Sequence, residues 1–348
     1  MKERREGDER RYSVLNHENI KGEKNMKNTS KLLKITSSAL LALSLVGCSS
    51  ASAASGLNAD SAIVTPEQLA KADPEQLDVS TLEKPDLDLS DASGVLKNVL
   101  DNGVLKLATS PDYPAAEWLD AESGHIYGYE MMIGKYIAGC LGVDFEIESS
   151  DFSGTFVAVD TGKADMAISG YGWKKDREEN YEISNGWVSD PESEESKHTL
   201  ITTSANEGKF NSLEDFVGTK IMAQANSLQE MYITDEILSL DKDGTTSYEP
   251  VAQIDQAILG LASGKCDAVA LDNNTAEQYV ASSDGQFVLT DVYFDLTPYG
   301  SYQGNIAIAK KGETQFMEVI NECIATAVEN GYISTWYKDA KVASGNQQ

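Results

Sequence analysis

Histidine is scarce in this chain, which has only His17, His125 and His198 among its 348 residues. A zinc site built from histidine ligands, or a Ser-His-Asp triad, needs histidine in a defined arrangement with other groups. Three isolated histidines do not supply one. We therefore expect no metal ion, no cofactor and no catalytic activity of these kinds.

Positive charge is also in short supply. The chain carries 28 Lys+Arg against 56 Asp+Glu, a formal net charge of −28, and its sequence pI is about 4.4. A nucleic-acid partner is excluded on this ground, because binding phosphates requires clustered lysine and arginine. Beyond residue 25 the only arginine is Arg177.

The chain has no hydrophobic run long enough for a permanent membrane helix near its start. The apolar stretch 35–47 has only 13 residues, follows the basic segment 26–34, and ends in Leu45-Val46-Gly47-Cys48. A bilayer core of about 30 Å needs roughly 20 apolar residues. The segment 26–47 is therefore predicted to be a secretory signal peptide. Its last four residues resemble a bacterial lipobox, which implies a lipid anchor on Cys48; the alternative is an ordinary signal peptide with a chance cysteine.

The regions on either side of the signal peptide are expected to lie outside the fold. Residues 1–25 form a charged upstream extension, and we expect translation to begin at Met26; the alternative is a genuine cytoplasmic extension. Residues 48–95 begin with Ser, Ala and Gly and continue rich in Pro and Asp, which predicts a flexible tether. The other cysteines, Cys140, Cys266 and Cys323, have no CxxC spacing and are expected to be buried small hydrophobic residues.

From Gly94 onward, predicted helices and strands alternate. The predicted strands cover 104–109, 144–148, 165–169, 220–223, 266–271 and 305–309. The predicted helices cover 128–141, 228–240 and 314–330, with another around residue 258. Alternation of this kind predicts α/β layers with mainly parallel sheets.

Four segments carry a resemblance to a known family. They are GVLKLATSPDYPAAEWLD (103–120), GKADMAISGYGWKKDREENYEIS (162–184), SLEDFVGTKIMAQANS (212–227) and ILGLASGKCDAVALDN (258–273). Together they resemble the solute-binding proteins of amino-acid ABC transporters, in the family's order. The resemblance implies two α/β lobes joined by two hinge strands, the periplasmic-binding-protein-like type II fold. Lobe 1 is expected over 96–200 and 300–348, and lobe 2 over 201–299.

The resemblance also implies how one amino acid is held between the lobes. Arg177 would bind the ligand carboxylate, and Asp272 would accept its ammonium group. Tyr113 stands where the family has an aromatic platform. Backbone N–H groups of strand-to-helix turns would complete carboxylate binding, and those turns contain Ser169, Gly170, Tyr171, Gly172, Asn226 and Ser227. The chain departs from the family at Gly172, where Ser or Thr is usual.

The identity of the amino acid stays open between basic, polar and aromatic. Relatives selective for basic amino acids often carry an acid where this chain has Ser110, and Asp112 and Glu117 lie close by in sequence. The acidic stretch 189–198 has no EF-hand spacing and is expected to be a solvated loop.

The resemblance implies a lipid-anchored, extracytoplasmic, monomeric binding protein that is not an enzyme. Its partners would be an amino-acid ligand, the permease and ATPase subunits of an ABC importer, and the membrane through Cys48. Two alternatives remain: an enzyme on the same fold resembling secreted cyclohexadienyl dehydratases, and a sensor module that reports its ligand to a receptor.

Overall fold

The structure, a computed structural model, describes residues 64–121, 123–189, 197–299 and 304–345. The predicted upstream extension, the signal peptide 26–47 and the anchor Cys48 lie outside the described residues, as does most of the acidic stretch. Within the described residues no helix is both long and apolar enough to span a bilayer.

The secondary structure alternates along the chain as predicted. In chain order the strands are β1 (Val104–Thr109), β2 (Asp112–Tyr113), β3 (Glu117–Leu119), β4 (Ile126–Tyr127), β5 (Asp144–Ser149), β6 (Met166–Ala167), β7 (Tyr181–Ile183), β8 (His198–Thr203), β9 (Lys220–Gln224), β10 (Ser247–Val251), β11 (Ala268–Asp272), β12 (Phe287–Tyr293) and β13 (Ile308–Lys310). The α-helices are α1 (Pro66–Ala70), α2 (Gly94–Asn102), α3 (Tyr129–Leu141), α4 (Phe152–Thr161), α5 (Lys175–Asn180), α6 (Leu228–Tyr232), α7 (Ile254–Ala262), α8 (Asn273–Ser282), α9 (Thr314–Glu329) and α10 (Tyr332–Ala343).

Two five-stranded sheets define two lobes, which confirms the predicted fold class. Lobe 1 is built on the order β5-β1-β6-β13-β7, and lobe 2 on the order β10-β9-β11-β8-β12. A small antiparallel sheet, β2-β3-β4, extends from lobe 1. Strand β8 begins at His198, so the second sheet starts before the predicted boundary at residue 200.

The prediction of mainly parallel sheets holds for strand direction, because four of the five strands in each main sheet run the same way, but only half of the neighbouring pairs in these sheets are parallel. Strand β1 runs parallel to β5 and β6, and β9 runs parallel to β10 and β11. However, β8 is antiparallel to β11 and β12, and β13 is antiparallel to β6 and β7. The exceptions are β8 and β13, the strands through which the chain enters a sheet from the other lobe.

Two segments cross between the lobes. The first runs from β7 to β8, and the second from β12 to β13. They meet at Trp187 and Asn305, whose backbone N–H and C=O groups exchange two hydrogen bonds of 2.9 Å each. This antiparallel pair is the hinge of the fold.

The core of lobe 1 forms where α3, α9 and α10 cover the first sheet. Helix α3 follows the predicted periodicity and ends at Gly142, whose φ of 72° is the left-handed conformation typical of a glycine C-cap. Cys323 is fully buried in this core, and Cys266 is buried in lobe 2, while Cys140 is only partly buried. All three carry free thiols, as their spacing predicted.

The predicted flexible tether over 48–95 is wrong for residues 64–95. This segment contains α1, two 3-10 turns and the start of α2. Ala72 is fully buried and Val79 is 8% exposed, both in the lobe 1 core, and several leucines of the segment pack against that core. The Pro- and Asp-rich composition concealed a segment whose apolar residues are spaced irregularly, although most of them pack against the core.

Candidate functional site

A cavity of about 330 Å³ lies between the two lobes. Its size is in the range of small-molecule sites in proteins. Most of the predicted site residues lie on its wall, namely Tyr113, Ser169, Gly170, Gly172, Arg177, Ser227 and Asp272. Tyr171 and Asn226 do not line it: Tyr171 is fully buried behind the wall, and Asn226 is exposed.

Arg177 is held rigidly from several sides. Only 4% of its surface is exposed, and its guanidinium lies 5.4 Å from the centre of the Tyr171 ring and 5.7 Å from those of Phe152 and Phe156. Nη1 donates to the carbonyl oxygen of Gly172 at 2.6 Å, and Nη2 to that of Asn226 at 2.8 Å. The guanidinium therefore reaches the cavity from lobe 1 in a fixed orientation and contacts lobe 2.

Tyr171 supports Arg177 from beneath the cavity wall. Its ring is fully buried, and its hydroxyl is hydrogen-bonded to Thr155. Burial raises the pKa of the phenol, so Tyr171 is neutral at physiological pH. Tyr171 therefore packs against Arg177 and is not part of the cavity wall. The prediction that it contributes to the binding surface differs from this position.

Asp272 ends β11 and faces the cavity from lobe 2. One carboxylate oxygen, Oδ1, accepts the N–H of Thr275 at 3.1 Å and so caps the N-terminus of α8. The other oxygen, Oδ2, is buried and makes no hydrogen bond. A buried carboxylate oxygen without a donor is energetically costly, so this atom is a candidate acceptor for a ligand group.

The expected set of backbone donors is partly wrong. The N–H of Gly170 donates to Glu130 Oε2 at 2.7 Å, and the N–H of Asn226 donates to Glu230 Oε2 at 2.5 Å. Neither group can therefore bind a ligand carboxylate in this conformation. Ser227 remains on the cavity wall, and its hydroxyl accepts the N–H of Glu230 at 3.2 Å.

The sequence did not show which way the side chains of Asp112 and Glu117 point. In the structure both are buried, together with Glu130. Asp112 is 8% exposed, and Glu117 and Glu130 are fully buried. Glu130 accepts from Asn305 Nδ2 at 2.6 Å and from Gly170, and Ser169 Oγ donates to Glu117 Oε1 at 3.1 Å. Burial, reinforced by the nearby Glu130, raises the pKa of Glu117 well above its usual value.

Asp112 joins the lobes. Its Oδ1 accepts from Ser110 Oγ at 2.9 Å, and its Oδ2 accepts from Gln224 Nε2 and from the N–H of Ile254, both at 2.9 Å. Ile254 is the first residue of α7, so an acid from lobe 1 caps a helix of lobe 2. Burial raises the pKa of Asp112 to about 6.

Another contact between the lobes closes the same side of the cleft. Asn226 Nδ2 donates to Ser153 Oγ at 2.9 Å. Together with the bonds made by Arg177 and Asp112, it shows that the lobes are closed over the cavity.

His198 lines the cavity at the start of β8. It is 7% exposed, and its Nδ1 is hydrogen-bonded to Gln229 Nε2 at 2.9 Å. Burial lowers its pKa to about 4, although the charge of Asp272 acts in the opposite direction. The imidazole is therefore neutral at pH 7 and adds no positive charge to the site.

Comparison with known proteins agrees with this architecture. The arginine-binding extracellular protein ArtP of Bacillus subtilis is 22% identical over 229 residues, covering 65% of this chain and 82% of ArtP. The crystal structure of the amino acid ABC transporter substrate-binding protein AbpA of Streptococcus pneumoniae, bound to L-arginine, has a TM-score of 0.63 and 23% identity. It covers 72% of this chain and 100% of that one.

A further structural neighbour bears on the enzyme alternative. The ancestral amino acid-binding protein AncCDT-1, a precursor of cyclohexadienyl dehydratase, has a TM-score of 0.60 and 21% identity, covering 70% of this chain and 98% of that one. Like ArtP and AbpA, it is named as a binding protein.

The chain also matches a family as a whole. The sequence profile of the bacterial extracellular solute-binding proteins, family 3, matches residues 105–339, which covers both lobes and both hinge segments. With its two-lobed fold and closed interlobe cavity, the chain belongs to the bacterial extracellular solute-binding proteins, family 3.

Proposed function

We propose that this protein captures an α-amino acid in the cavity between its lobes and delivers it to an ABC importer, while a lipid on Cys48 anchors it outside the cell membrane. It acts as a monomer. One observation carries the proposal: Arg177 of lobe 1 and the unpartnered Oδ2 of Asp272 in lobe 2 line the same closed cavity.

An α-amino acid has the matching chemistry. Its carboxylate suits the planar guanidinium of Arg177, with Ser227 as a second polar group on that wall. Its ammonium group supplies the hydrogen bond that Asp272 Oδ2 lacks. Because the two charges of the ligand are met by different lobes, ligand binding favours the closed arrangement. The binding activities named for ArtP and AbpA support an amino acid as ligand.

A thermal-shift screen of the purified protein against the common amino acids tests the binding step. Ligand that binds only the folded state stabilises it by about 2.7 kcal/mol at a hundredfold excess over Kd. For a chain of this size this corresponds to a rise in Tm of roughly 5–10 °C. Absence of a shift with every amino acid would contradict the proposal.

Anchoring is tested separately by metabolic labelling with a radioactive fatty acid in the native host. The wild-type protein should be labelled, and Cys48→Ala should not. Cys140→Ala is the matched control and should be labelled like wild type. Equal labelling of Cys48→Ala would show that Cys48 is not the lipid attachment site.

Delivery is tested by uptake of the radiolabelled amino acid found in the screen. Deletion of the gene should reduce uptake, and wild-type protein should restore it. The Asp272→Asn variant should not restore uptake. Full uptake in the deletion strain would contradict a role in import.

A further inference from the structure

Two of the free thiols lie against each other in lobe 1. Cys140 is near the end of α3 and Cys323 is on α9, and these two helices pack together. Cys323 is fully buried in the lobe 1 core, whereas Cys140 packs against the same core and is only partly buried. The two side chains are hydrogen-bonded to each other. The fold therefore brings into contact two thiols that lie far apart in the sequence.

This contact is the arrangement from which a disulfide forms. Two cysteines can be bridged only if their side chains point toward each other and their Cα atoms lie within about 7 Å. The hydrogen bond between the thiols meets the first condition, and the packing of α3 on α9 favours the second. Cys266 is buried in lobe 2 instead, where its Sγ lies 4.0 Å from the carbonyl oxygen of Ala257. Of the three described cysteines, Cys140 and Cys323 are therefore the two that are placed to pair.

The surroundings of Cys140 make it the more reactive thiol of the pair. The hydrogen bond with Cys323 lowers the pKa of Cys140, although burial acts against it, and Tyr136 and the positive charge of Lys84 lower it further. Lys84 is held beside this turn because its Nζ donates to the carbonyl oxygen of Gly139 at 3.0 Å. The same hydrogen bond, together with burial, raises the pKa of Cys323. Because the thiolate is the nucleophile in thiol–disulfide exchange, Cys140 reacts first.

We propose that Cys140 and Cys323 form a disulfide outside the cytoplasm, by exchange with a disulfide donor R–S–S–R. The Cys140 thiolate attacks one sulfur of the donor, which forms a mixed disulfide and releases R–S⁻. This thiolate takes up the proton of Cys323, whose sulfur then attacks Cys140 Sγ and displaces the second R–S⁻. The second R–S⁻ takes up from solvent the proton that Cys140 lost. The two protein thiols are thereby oxidised by two electrons, and the donor is reduced to two R–SH.

The location of the family supports this chemistry. The family consists of extracellular proteins. Disulfides form and persist in oxidising compartments outside the cytoplasm. The proposal needs this location but no particular ligand, because neither Cys140 nor Cys323 lines the cavity between the lobes.

The bond joins the two separate parts of the chain that make up lobe 1. Helix α3 precedes β8 and α9 follows β12, so every strand of the second sheet lies between the two cysteines in the sequence. Without the disulfide, these two parts of lobe 1 are connected covalently only through lobe 2. The disulfide holds them together independently of lobe 2. In the chain-entropy model a disulfide stabilises more when it closes a longer loop, and this loop contains the whole second sheet.

Peptide mapping of the protein isolated from its native host tests the pairing. Free thiols are blocked with N-ethylmaleimide in denaturant at lysis, and the protein is digested with trypsin without reduction. Trypsin releases Cys140 in the peptide 136–163 and Cys323 in the peptide 312–338. These peptides should be recovered as one linked species that separates on reduction, while Cys266 should be alkylated. Recovery of either peptide alkylated, or linked to a different cysteine, in most of the protein would overturn the proposal.

Thermal denaturation with and without a phosphine reductant tests the role of the bond. Reduction should lower the Tm of the wild-type protein by roughly 5 °C or more. Cys140→Ala and Cys323→Ala should each have the same Tm with and without reductant, and this comparison of a protein with itself removes the effect of the substitution on stability. Cys266→Ala is the matched control and should lose as much Tm on reduction as wild type. An unchanged Tm after complete reduction of the wild-type protein would overturn the role assigned to the bond.

Discussion

Arg177 donates through Nη2 to the backbone carbonyl oxygen of Asn226, 2.8 Å away across the cleft. One side chain of lobe 1 thus lines the ligand cavity and also holds a loop of lobe 2. The carboxylate binding proposed for Arg177 and the contact that holds the lobes closed therefore involve the same guanidinium. Substitution of Arg177 should therefore affect both ligand affinity and the contact with Asn226 across the cleft.

Replacing Arg177 by Ala should abolish most ligand binding. The ligand carboxylate would lose a buried charged partner, at a cost of roughly 2–5 kcal/mol, which lowers affinity more than tenfold. Arg177→Lys keeps the charge but cannot contact the Gly172 and Asn226 carbonyls in the same geometry, so it should bind with intermediate affinity. Titration calorimetry measures both. An Arg177→Ala protein that retains wild-type affinity would show that the carboxylate is bound elsewhere.

The carboxyl group of Asp112 should matter for closure through its shape more than its charge. In Asp112→Ala, the Ile254 N–H and the Gln224 amide lose their acceptor, and ligand affinity should fall by about fivefold or more. Asp112→Asn offers a carbonyl oxygen to both donors and an N–H to Ser110, so its affinity should stay within about threefold of wild type. Small-angle scattering of the unliganded proteins should show a larger radius of gyration for Asp112→Ala. Identical profiles for both variants would argue against a role in closure.

Gly304 should be intolerant of a side chain because of its position at the hinge. An added Cβ would lie 1.9 Å from the backbone oxygen of Trp187, and the φ of 78° is in the left-handed region. Gly285 has the same φ of 78° but open space around its Cα. Gly285→Ala should cost roughly 1–2 kcal/mol of unfolding free energy, and Gly304→Ala roughly 1–3 kcal/mol more. Urea denaturation measures both, and equal losses would show that the hinge accommodates the methyl group.

His198 should make the protein less stable in acid. Its folded-state pKa of about 4 lies below the ordinary value of 6.5, so the unfolded chain binds its proton more tightly. The stabilisation from neutral His198 is complete above pH 6.5 and is lost as the pH falls toward 4, by at most about 1.4 kcal/mol per pH unit. Urea denaturation across this range should show the loss in wild type, and a smaller one in His198→Gln.

The control for this pH dependence is His125→Gln, because the His125 side chain is 44% exposed. It should follow the wild-type curve. If His198→Gln also follows the wild-type curve, the buried imidazole is not the group that titrates.

The sequence predicted the elements whose residues bury one regular face. Strands β1, β5 and β9, and helices α3 and α9, match their predicted bounds within one residue at each end, because their apolar spacing follows the period of the element. The ordered structure of segment 64–95 was not predicted, because its apolar residues have no regular period. Only their contacts with the lobe 1 core show that the segment is part of the fold.

The site residues likewise include some that the sequence predicted and some that only the structure revealed. The family resemblance pointed to Arg177 and Asp272 and implied their roles, and both residues line the cavity. The position of Glu117 could not be read from sequence, because its burial beside Glu130 and its hydrogen bond from Ser169 Oγ depend on how distant segments pack. The sequence also could not show that the Gly170 N–H donates to Glu130 and is therefore not available to a ligand, because these two residues lie forty positions apart.

The sequence by itself determined the family, the alternation of helices and strands, and the charge pair suited to an amino acid, because these follow from local patterns and residue chemistry. The tertiary structure alone decided which of those groups remain available to a ligand. A hydrogen bond between residues distant in sequence depends on how the helices, strands and lobes pack against each other, and burial then sets the cost of every group that is left without one.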